Sequence, residues 1–167
     1  MHSFYYACPT CPGAVGQFAI QLAKLRGAYV YTTTSARNTE LVLGLGADQA
    51  IDYQQEDFSD LKDLDVVFDT LGGDALANSW STLKAKGRLV SVAEVPDEET
   101  AQKHDISAFF CFVQPNREQL THLAELADSG HLTVNIDSEF TLEQAAEAHE
   151  RSETGRARGK IIVNVSE

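Results

Sequence analysis

Residues 10–38, TCPGAVGQFAIQLAKLRGAYVYTTTSARN, decide how the rest of this 167-residue chain is read. Apolar residues recur at Val15, Phe18, Ala19, Leu22, Ala23 and Leu25, the period of an amphipathic helix. Gly27 ends that helix. The run AYVYTTT (28–34) is rich in β-branched and aromatic side chains and predicts a strand. Ahead of the helix, SFYYAC (3–8) predicts a first strand that stops at Cys8, because Pro9 has no donor for a central ladder. The unit is strand, glycine turn, helix, strand. Gly13 and Gly16 sit where the helix starts, with Ala14 and Val15 between them. Such a turn lets backbone N–H groups approach a pyrophosphate at the positive end of the helix dipole. No acidic residue stands at the second strand's end to hold a ribose 2′-hydroxyl. Ser35, Arg37 and Asn38 are there instead, and a guanidinium fork suits a 2′-phosphate. Ser35 and Asn38 also read as plain helix caps beside a solvated arginine.

Outward from this unit, short β-rich runs alternate with helical ones, the pattern of a parallel sheet covered on both faces. A helix is expected over 38–45, closed by Gly46. Strands are expected at AIDY (50–53), DVVFDT (65–70) and RLVSVA (88–93), with a helix over 74–84 and a turn at Lys86–Gly87. The acidic stretch 94–105 reads as a loop with a helical turn. AFFCFV (108–113) reads as a buried or intersubunit strand, with Cys111 buried and inert. Pro115 opens a helix through Asp128. LTVNI (132–136) and KIIVNV (160–165) read as strands around an alanine-rich helix over 141–152. Thr70 and Gly72 fall at the carboxyl end of the fourth strand, where ligands of such sheets lie, although a simple turn accounts for the glycine as well.

Composition narrows the classes. Acidic residues number 25 against 13 basic, a formal charge of −12, which repels nucleic acid and anionic membranes. No apolar run approaches the roughly 20 residues that span a bilayer, and the N-terminus has no signal-peptide pattern. Three cysteines form no disulfide framework. A cytoplasmic setting is the default expectation. Cys8-Pro-Thr-Cys11 is an alternative in itself, because a CxxC between strand and helix is a thiol redox arrangement. The five histidines are scattered, and no zinc-ligand spacing is present.

The stretches GAVGQFAIQLAKLRGAYV (13–30), TTSARN (33–38), LGADQAIDY (45–53), DVVFDTLGGDAL (65–76), KGRLVSVA (86–93) and GRARGKIIV (155–163) occur in an order that resembles the medium-chain dehydrogenase/reductase superfamily. The likeness is greatest to its zinc-independent quinone oxidoreductase and enone reductase branch. The resemblance implies a doubly wound Rossmann domain over 1–131. It implies that 132–167 is a return segment packing on an N-terminal catalytic domain that this chain lacks. It further implies NADPH as cofactor and a small quinone or carbonyl substrate, with little activity in this part alone. By the same resemblance, Tyr53 flanks the adenine, although an ordinary surface tyrosine reads as well, and the backbone at Val92 and Phe112 meets the nicotinamide amide. From their place at the strand end, Thr70 and Gly72 are expected to meet a cofactor ribose. Pairing of 108–113 across a dimer axis is implied too. No residue reads as a general acid. A dinucleotide-binding module without chemistry is the other reading.

Overall fold

The computed structural model describes residues 5–8 and 13–165. The first half runs β1 (Tyr5–Cys8), α1 (Ala14–Leu25), β2 (Tyr29–Thr34), α2 (Thr39–Gly44), β3 (Gln49–Asp52) and β4 (Leu64–Asp69). The second half continues with α3 (Gly73–Ser79), β5 (Leu83–Ser91), α4 (Glu98–Lys103), β6 (Ser107–Phe110) and α5 (Arg117–Asp128). β7 (Ile136–Thr141), α6 (Ala145–Glu153) and β8 (Lys160–Asn164) close the chain. Six strands form one sheet in the order β3-β2-β1-β4-β5-β6, parallel throughout. This is the doubly wound arrangement expected from the alternating pattern.

Two apolar clusters hold the sheet. Ile20, Ala23, Ala28, Val30, Val42 and Ala47 pack beneath α1 and α2. Leu64, Val67, Leu76, Trp80, Leu89, Ala101 and Ile106 pack beneath α3 and α4. Val30 and Val66 are both in register with Tyr6, whereas Val67 pairs with Ala7, so the clusters lie on opposite faces. Burying apolar surface on both faces is what a parallel sheet requires.

Several sequence expectations need correction. Leu132–Asn135 is not a strand. Its backbone runs along α1, where Gln21 Nε2 donates to Thr133 O (3.0 Å), Thr133 N donates to Gln21 Oε1 (2.7 Å), and Asn135 Nδ2 donates to Gln17 Oε1 (2.9 Å). The strand of this region is β7, farther on. The helix expected over 74–84 stops at Ser79, and a 3-10 turn over Trp80–Thr82 leads into β5 at Leu83. β5 passes through Lys86–Gly87 rather than starting after it, with Lys86 at φ 62° and a register shift against Leu64/Val66. β6 ends at Phe110, and Cys111 beyond it is exposed, not buried. Pro115 lies ahead of α5, whose cap is Asn116, its side chain accepting from Gln119 N at 3.0 Å.

β7 and β8 form a separate parallel pair bridged by α6. Asp137 is the tie between them. Its carboxylate accepts from Arg151 Nε (2.7 Å) and Nη2 (2.6 Å) on α6, and from Arg158 N (2.8 Å) ahead of β8. The Arg151 guanidinium, outweighing the cost of burial, holds the Asp137 carboxyl well below the usual carboxylate range. A depressed folded-state value contributes stability that is present above the unfolded value, about 4, and is lost as pH falls through and below it. Thermal melts of wild type and Asp137→Asn should therefore differ most at neutral pH, with a gap that begins to narrow only below about pH 4. A gap between the melts that stays constant with pH contradicts this role.

A candidate dinucleotide site where the strand order reverses

β1 and β4 are neighbours, and the chain leaves them towards opposite edges of the sheet. Such a switch point opens a crevice at the carboxyl ends of the strands. α1 begins there. Gly13 is its N-cap (φ −69°, ψ 161°), and among the described residues no side chain caps the first turn, which leaves N–H groups at the helix start without a local side-chain acceptor there. A Cβ on Gly13 would meet no atom within 4 Å. Ala14 starts the helix, Val15 is exposed, and Gly16 is buried. Residues 9–12, including Cys11 of the CxxC, lie outside the described residues, so the thiol reading lies there too.

At the end of β2, Ala36–Asn38 make one 3-10 turn before α2. Ser35 and Asn38 occupy N-cap positions, yet neither side chain caps a helix. The plain-cap reading of these residues therefore loses its support. Asn38 Nδ2 donates to Ser35 Oγ (3.3 Å). Asn38 Oδ1 and Thr34 Oγ1 are buried without a hydrogen-bond partner among the described residues. Buried polar atoms are ordinarily satisfied, so these two fit a site completed by another group. Arg37 is exposed and makes no ion pair among the described residues.

A cleft of about 690 Å³ opens beside this turn, lined by Thr33, Tyr53, Phe58, Leu71, Ala75 and Asn78 among others. Gln54, Gln55, Glu56 and Asp57 make the rest of its lining, so apolar and polar groups share the wall, and its volume suits a planar heterocycle. Tyr53, 54% exposed, forms part of the wall. Thr33, Phe58, Leu71 and Ala75 were not foreseen, because they come from different elements that only the topology brings together.

At the end of β4, Thr70 is half-buried and Gly72 takes φ 72°, ψ −162°, a backbone region that favours glycine. Val92 follows β5, its N–H donating to Asp69 O (3.0 Å). Phe112 is 78% exposed beyond β6 and is the predicted site residue farthest from the turn of α1 in the strand order. Among the described residues, no group of three or more His, Cys, Asp or Glu side chains could hold a metal ion. None of the described helices is long and apolar enough to cross a membrane.

The family model described as zinc-binding dehydrogenase matches residues 45–163. The chain belongs to the medium-chain dehydrogenase/reductase superfamily. Within that superfamily its relatives mark the quinone oxidoreductase branch. Quinone-oxidoreductase QR1 of Triphysaria versicolor is 34% identical over 90% of this chain and 49% of its own length. The NADPH-dependent alkenal/one oxidoreductase of Arabidopsis thaliana is 35% identical over 90% of this chain and 38% of its own length. The solved structure of the quinone oxidoreductase from Coxiella burnetii superposes with a TM-score of 0.90 at 38% identity, covering 98% of this chain and 53% of that one. The chain thus spans about half the length of the Triphysaria and Coxiella relatives.

Proposed function

We propose that this chain is the cofactor-binding part of an NADPH-dependent reductase of quinones or activated enones. The observation that carries the reading is the turn after β2. A guanidinium with no ion pair and two buried polar atoms with no hydrogen-bond partner, among the described residues, stand where an NAD site would present a carboxylate. The relatives support the reductase class by their own activities. In this reading the first turn of α1, Gly13 to Gly16, receives the pyrophosphate, and Ser35, Arg37 and Asn38 receive the 2′-phosphate. Tyr53 and Leu71 enclose the adenine. Thr70 and Gly72 border a ribose, and the backbone at Val92 and Phe112 orients the nicotinamide amide.

A bound nicotinamide supplies the hydride, and the chain's own residues hold and orient it. Residues 1–131 act as the dinucleotide-binding domain. Residues 132–167 return towards a catalytic domain, which completes the substrate pocket for a quinone or unsaturated carbonyl compound. β6 is an open sheet edge with Phe109 53% exposed, which supports pairing with a second copy through 108–113. The test is to fuse the chain to the N-terminal half of the Coxiella burnetii relative and follow NADPH oxidation with a naphthoquinone. The fused protein turns over and the chain alone does not. A folded fusion that binds NADPH yet never transfers hydride contradicts the enzyme reading and favours a binding module.

A further inference from the structure

The ends of β4 and β5 are tied together by side chains that the cofactor reading does not use. Asp69 closes β4 and is fully buried. Its Oδ1 accepts from Leu71 N (3.1 Å) and Gly72 N (3.1 Å), and its Oδ2 accepts from Gly72 N (3.0 Å) and Ser91 Oγ (2.7 Å). Ser91, also fully buried at the end of β5, extends the chain of bonds. Its Oγ accepts from Ala93 N (3.2 Å) and Glu94 N (3.1 Å). Glu94 then reaches back, its Oε2 accepting from Gly73 N at 2.7 Å. The backbone repeats the tie, with Val92 N on Asp69 O (3.0 Å) and Cys111 N on Ser91 O (2.8 Å).

Burying a carboxylate costs several kcal/mol unless donors replace its water. Among the described residues no cation pairs with Asp69, so the backbone donors and one hydroxyl carry that replacement. Any movement of loop 70–73 relative to loop 92–94 would strand the charge. The two loops therefore have one low-energy arrangement with respect to each other. A simple turn would need no buried charge to close it.

We infer that Asp69 and Ser91 are positioning residues that lock the loops after β4 and β5 into the one arrangement the nicotinamide half of the cofactor requires. The inference rests on the proposed cofactor role, and it assigns a task to two residues that touch no cofactor atom. Precise placement of binding groups depends on such supporting bonds. The adenosine half lies mainly on the β2–β3 side of the switch and meets the locked loops only through Leu71, so it depends on the lock less than the nicotinamide half does.

NADPH and adenosine 2′,5′-bisphosphate separate the two halves in a binding titration. Ser91→Ala removes the hydroxyl at the centre of the network and should weaken NADPH about tenfold. Affinity for the bisphosphate falls much less, and Ser91→Thr, which keeps the hydroxyl, restores NADPH. Hydrogen exchange on the wild type reads the lock without any substitution. NADPH should slow the amides of 70–73 and 92–94 together, whereas the bisphosphate leaves 92–94 as it was. Equal loss for both ligands in Ser91→Ala, or no loss for either, overturns the inference. So does NADPH protection confined to one loop. Wild type that binds the bisphosphate but not NADPH also overturns it, and wild type that binds neither removes the cofactor reading itself.

Discussion

Gly159→Ala should cost about 3 kcal/mol of stability and loosen the C-terminal unit from α1. A Cβ at this position would stand 2.3 Å from Asn135 O and 2.8 Å from Asn135 C. That contact is with backbone, which cannot rotate away like a flexible side chain. Asn135 is also pinned from both sides. Its carbonyl accepts from Lys160 N (2.8 Å), and its amide donates to Gln17 of α1 (2.9 Å). Relieving the clash therefore breaks the link between β7, β8 and the Rossmann domain. Gly155→Ala is the matched control. Gly155 sits at φ 62° with no atom within 4 Å of its Cβ direction, so only the backbone penalty of about 1 kcal/mol applies. Urea unfolding followed by circular dichroism compares the two. Equal losses contradict the steric account of Gly159.

Arg37→Ala should weaken NADPH by about 1.5–3 kcal/mol, the worth of a hydrogen bond to a charged group, and leave NADH unchanged. That range corresponds to roughly ten- to hundredfold in affinity. Arg37→Lys should recover only part of it, because an ammonium is a point charge and a guanidinium offers a planar fork. Fluorescence of the bound dihydronicotinamide measures all three proteins. Recovery to full affinity by lysine would place a simple charge there and remove the bidentate contact.

The architecture was legible in the sequence wherever local pattern and burial agree. The helix over Val15 to Leu25 was legible from its apolar period, but its buried face is rotated: Ala23 is buried as expected, Ile20 joins it, and Val15 and Leu25 are exposed. β2 and β4 carry the β-branched residues that a doubly covered sheet needs. The errors fall where tertiary contacts override local preference. LTVNI has strand-forming residues, but side-chain amides of Gln17 and Gln21 take up the polar groups of 133–135 that a neighbouring strand would have taken. Lys86–Gly87 does carry a left-handed residue, as a turn would. Here it makes an irregularity inside a long strand rather than a break before one. The run 108–113 reads as buried or intersubunit because it is apolar, and only the buried alternative fails. β6 is the last strand, stops at Phe110, and leaves Phe112 and Val113 in the open.

The candidate site divides in the same way. Gly13, Gly16, Ser35, Arg37 and Asn38 could be placed from one strand–turn–helix–strand unit, because contiguous sequence positions them. Asp69 could not be foreseen. A single acid at a strand end has no distinctive spacing, and its importance comes from the donors of two loops and Ser91, 22 residues away in the chain. Phe58 and Leu71 were equally hidden, since a pocket assembled from separate elements is a property of topology.

The most direct measurement is a titration of the wild-type chain with NADPH and with NADH under the same conditions. Selectivity built on Arg37 at the end of β2 predicts NADPH bound more tightly by roughly tenfold or more. Equal affinity for the two nucleotides, or tighter binding of NADH, would contradict it.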